Sequence, residues 1–75
     1  MTASEFLEAF AAEVGAPAPT AEQFDVLLKL AAVAAHGSER LAAPLACWMG
    51  GVSGLPADEL LAAARRVAPA PSDGA

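Results

Sequence analysis

Residues 20–37 read TAEQFDVLLKLAAVAAHG, and this stretch decides the fold. Thr20 and Gln23 form a Thr-x-x-Gln pattern, in which each side chain can satisfy the other residue's backbone N–H at a helix start. Phe24, Leu27, Leu28, Ala31 and Ala35 follow at helical spacing, with Val33 and Ala34 widening the stripe. That period is the signature of an amphipathic helix. Glu22 and Asp25 near its start and His36 at its end suit the helix dipole. Gly37 is the residue type expected just past a last turn. The reading is a helix over about residues 21–36.

Toward the N-terminus the same logic repeats. Thr2 and Glu5 make a second candidate capping box, and Phe6, Leu7, Phe10 and Val14 mark one apolar stripe. Gly15, then Pro17 and Pro19, end that helix, giving about residues 3–14. Toward the C-terminus a third helix starts either at Ser38 as cap or nearer Ala43, with Pro44 tolerated in its first turn. Leu41, Leu45, Trp48, Met49 and Val52 line one side of it under either choice. Gly50, Gly51 and Gly54 predict close backbone packing in that segment. Leu55-Pro56-Ala57-Asp58-Glu59 reads as a fourth start, with Leu60, Leu61, Ala64 and Val67 as its buried stripe and Arg65 and Arg66 at its negative end.

No run alternates in the manner of a strand. The expected architecture is all-α, a small bundle of about four short helices in one domain over residues 1–68. The Ala/Pro-rich residues 69–75 are expected to form a disordered tail.

Composition bounds the function. The chain has 75 residues and 56% apolar residues, yet 21 of the apolar ones are alanine. A chain this short buries only about 60% of its unfolded surface, so help from a partner or a second copy is expected and an enclosed catalytic site is not. The protein is read as no enzyme. A net charge of −5 lacks the basic stripe that nucleic acid or an anionic membrane surface demands. The start carries acids rather than the basic region of a secretory signal. The longest charge-free run, residues 41–57, is interrupted by two prolines and three glycines and cannot form a spanning helix. A cytoplasmic setting is expected. Cys47 is the only cysteine and His36 the only histidine, so no zinc-ligand spacing exists and no cofactor is expected. Cys47, among apolar neighbours, reads as a small hydrophobe rather than a nucleophile.

The most unusual stretch is His36-Gly37-Ser38-Glu39-Arg40. An imidazole, a carboxylate and a guanidinium at a helix junction either fix the angle between two helices as a buried polar network or meet an anionic group on a partner or ligand. In the buried case, removing Arg40 would cost about 1–3 kcal/mol. Trp48 reads first as core; if exposed, it marks a docking patch. The candidate partner- or ligand-binding residues are His36, Glu39, Arg40 and Trp48. Comparison with acyl carrier proteins fails, because Ser38 precedes Glu-Arg-Leu and follows a strong helix rather than a long loop.

The segment from Leu30 to Leu45, with Ala-His, then Glu39-Arg40, then Ala43-Pro44, resembles a small actinobacterial domain of unknown function. That domain is found beside or fused to molybdopterin-guanine dinucleotide biosynthesis protein A, a molybdenum-cofactor guanylyltransferase. The resemblance spans about residues 4–54 and is weaker over the last helix. It implies a non-catalytic accessory module linked to molybdenum-cofactor maturation, docking a nucleotidyltransferase. The alternatives from the residues themselves are a small anionic-ligand binder, with its pocket between helices two and three, and a homodimeric structural protein.

Overall fold

A computed structural model describes residues 1–69 and consists of four α-helices: α1 (Ala3–Val14), α2 (Ala21–Gly37), α3 (Ala42–Ser53) and α4 (Ala57–Val67). The all-α expectation is borne out, and among the described residues there is no strand. The expected tail lies, from residue 70 onward, outside the described residues.

Both capping boxes form. The Thr2 backbone N–H donates to Glu5 Oε1 at 2.7 Å and the Glu5 N–H donates to Thr2 Oγ1 at 3.1 Å. Thr20 and Gln23 repeat the pair at 2.9 and 3.1 Å. Each box satisfies two N–H groups that the first helical turn leaves unpaired. Gly15 and Gly54, both left-handed, end α1 and α3.

The junction between α2 and α3 departs from expectation. Helix α2 runs through Gly37, with Ser38 as its C-terminal cap in a conformation that is not left-handed. The reason is local: Ser38 Oγ donates to the Ala34 carbonyl at 2.9 Å, pairing an acceptor at the helix end. Ser38 therefore closes α2 rather than opening α3. The later start holds, with α3 beginning at Ala42 behind Leu41, which makes no side-chain cap.

Helix α2 is the hub, with α3 and α4 both packed along it, while α1 makes no comparable contact. The core is correspondingly small. Leu30 on α2 and Leu61 on α4 are the buried apolar side chains. Gly50 on α3 is buried, with the Leu60 side chain of α4 occupying the space a Cβ would take. The radius of gyration is 13.5 Å, against about 11 Å for a compact chain of this length.

The orientation of α3 overturns the core position expected for Trp48. The large apolar residues read as lining one side of the helix are at the surface: Leu41, Leu45, Trp48, Met49 and Val52 are all at least 63% exposed. The opposite face, with Ala42, Ala43, Ala46, Cys47 and Gly50, is half-buried or buried. Small side chains let two helix backbones approach closely, and that face is the one α3 turns inward.

Candidate functional site

The sequence pointed to the 36–40 turn, and the structure places its three charged or titratable side chains at the surface. His36, Glu39 and Arg40 are all exposed. Among the described residues no polar or charged side chain is buried, so the buried helix-fixing network is not the role of this turn. The turn is held instead by Ser38 Oγ on Ala34 and by backbone bonds, Ala42 N–H to the Glu39 carbonyl at 2.9 Å and Ala43 N–H to the Arg40 carbonyl at 3.2 Å. The physical reason is topological. Helix α2 ends and α3 begins at the rim of the packed region, where a polar turn keeps its hydration at no cost.

Trp48 is 69% exposed. Its expected core position is overturned, for the reason given by α3: the small-residue face packs inward and carries the ring out. Leu41, Leu45 and Val52 share this outer side at four-, three- and four-residue spacings. The sequence reading had found this stripe as one side of the helix, with only Trp48 expected first in the core.

A groove that the sequence reading located only in part opens among α2, α3 and α4, with a volume of about 430 Å³. Leu30, Val33, Met49, Leu60 and Val67 form its apolar walls, with alanines and Gly50 between them. Ser38 and Ser53 are its polar side chains. Both hydroxyls are committed to their own helices, Ser38 to Ala34 and Ser53 to the Gly50 carbonyl at 2.6 Å. Ser53 Oγ also accepts from the Leu55 N–H at 3.2 Å. Neither Arg40 nor Trp48 lines this groove.

Two side chains show perturbed ionisation. Glu5 is held below the usual glutamate range by the Thr2 backbone N–H and then the Thr2 hydroxyl. Burial pushes the Cys47 thiol up, which lowers its thiolate fraction at neutral pH. Among the described residues no three His, Cys, Asp or Glu side chains cluster as a metal site, and no helix is long and apolar enough to cross a membrane.

A second apolar surface lies on α1. Phe6 and Phe10 stack with ring centroids 6.0 Å apart, and both are more than half exposed. Glu5, Glu8 and Glu13 share this helix, which carries no basic residue.

A family profile described as Domain of unknown function (DUF6457) matches residues 1–74, so the chain belongs to that family. No curated protein and no solved structure matches the chain.

Proposed function

We propose that this chain is a non-catalytic helical interaction module whose α2–α3–α4 groove receives an apolar helix of a partner protein. One observation carries this reading: the groove walls are apolar, and its two hydroxyls are already satisfied within their own helices. A pocket for a small polar substrate needs convergent free polar groups to orient it, whereas a helix-binding groove needs apolar walls at helical spacing. The anion-binding alternative requires Arg40 beside the occupant, and Arg40 stands outside the groove lining.

The partner proposed from the resemblance over residues 30–45 is a molybdenum-cofactor guanylyltransferase. The chain would then serve as an accessory in molybdopterin guanine dinucleotide maturation in an actinobacterial cytoplasm. Support for this link is the Ala-His, Glu-Arg and Ala-Ala-Pro pattern and an alanine-rich composition without isoleucine.

The test is calorimetric titration of the purified chain with that guanylyltransferase. Saturable binding is expected, and it should be lost in Val67→Glu, which puts a carboxylate on an exposed groove wall. Absence of binding by the native chain removes the molybdenum link. Binding that survives Val67→Glu unchanged removes the groove as its site.

A further inference from the structure

The outer face of α3 lies away from the proposed groove and calls for its own account. We propose that this face joins two copies of the chain in a two-fold dimer, with the α3 helices antiparallel and the axis between Leu45 and Trp48. The proposal goes beyond the groove reading and does not depend on it.

The sequence pattern comes first. Leu41, Leu45, Trp48 and Val52 are spaced four, three and four residues apart. That is the alternation of a coiled-coil seam, where each large side chain seats between side chains of the facing helix. All four are at least 63% exposed. In one copy the seam faces water; between two copies it is self-complementary.

Charge selects both the occupant and the orientation. Two copies each carrying −5 repel one another wherever their acids meet. The Phe6–Phe10 face of α1 is flanked by Glu5, Glu8 and Glu13, so it is a poor surface for self-association. Residues 41–57 carry no charge at all, so the α3 face lets two acidic chains meet without opposing carboxylates. The seam from 41 to 52 has its midpoint between Leu45 and Trp48. Antiparallel pairing about it sets Leu41 against Val52 and Leu45 against Trp48. It also brings Arg40 of one copy to the C-terminal end of the other copy's α3, where the helix dipole favours a cation. Parallel pairing would instead set Arg40 against Arg40.

Sedimentation equilibrium of the full chain tests the association. The expected mass is twice 7.5 kDa at high micromolar concentration, falling to the monomer in Trp48→Glu and in Leu45→Glu. Helical circular dichroism should be retained in both, because the substituted side chains are exposed. A wild-type monomer across the concentration range overturns the proposal, as does a dimer that both variants leave intact. Orientation is read from disulfide formation in a Cys47→Ser background. Leu45→Cys should cross-link to Trp48→Cys, and Leu41→Cys should cross-link to Val52→Cys but not to itself. Self-cross-linking at Leu41→Cys overturns the antiparallel arrangement. Loss of the dimer would leave the groove reading standing, since Val67 lies on α4 outside the seam.

Discussion

A Cβ placed on Gly50 would stand 2.8 Å from Cδ1 of Leu60, so α4 presses a leucine against one of the two positions on α3 that carry no side chain. Next to it, Gly51 has open space around the same construction. The two glycines look alike in sequence, and the contact with α4 separates them.

That difference predicts unequal outcomes for one substitution. In the dissociated chain, Gly51→Ala should gain about 0.5–1 kcal/mol from helix propensity alone. Gly50→Ala should gain less, because the added methyl must move the end of the half-buried Leu60 side chain aside. Urea melts of both variants check this. In a Leu60→Ala background, Gly50→Ala should recover the propensity gain.

Leu30 is the most buried of the large side chains, at 4% exposure. Leu30→Ala should cost about 2–5 kcal/mol, a large share of the roughly 4–11 kcal/mol available to a chain of this size. Loss of the cooperative thermal transition in circular dichroism is the expected result. An unchanged melting temperature would place the core elsewhere.

The two caps should behave differently although their geometry matches. Thr20→Ala starts the hub helix one bond short and should lower global stability by about 1 kcal/mol. Thr2→Ala should act mainly on α1, which contributes no buried side chain. Its effect belongs in amide exchange of residues 3–14 rather than in the global melt. Acid should produce the same local change. The folded Glu5 carboxyl titrates below its ordinary value, so its contribution is present above the unfolded pKa and is lost as pH falls through the folded one. Fraying of α1 before α2 in an acid titration followed by NMR checks the sign.

Arg40→Ala should leave the stability of the dissociated chain within about 0.5 kcal/mol of wild type, because the guanidinium is exposed. The larger loss of a buried network, expected from sequence alone, should be absent from a thermal melt. A fall of more than 1 kcal/mol would show that the turn carries an interaction the fold depends on.

Helix number and most helix ends were legible in the sequence because their signals act over three or four residues. Thr2 with Glu5, Thr20 with Gln23, and Gly15 followed by two prolines each act within one helical turn. The end of α2 was read one residue short, because a hydroxyl at Ser38 did what a left-handed Gly37 was expected to do. The His36-Glu39-Arg40 turn was visible as a polar interruption. Its burial was not, since that depends on where the packed region stops.

The amino-acid order by itself determined that this chain is four helices, because capping hydrogen bonds and backbone breakers are local. Only the tertiary structure decided which way α3 faces. Both of its sides are apolar, one built of Ala, Cys and Gly and the other of Leu, Trp and Val, so hydrophobic periodicity cannot choose between them. The choice follows from the packing of α3 along α2. On the side where helix backbones come near, small side chains fit and large ones are left outside.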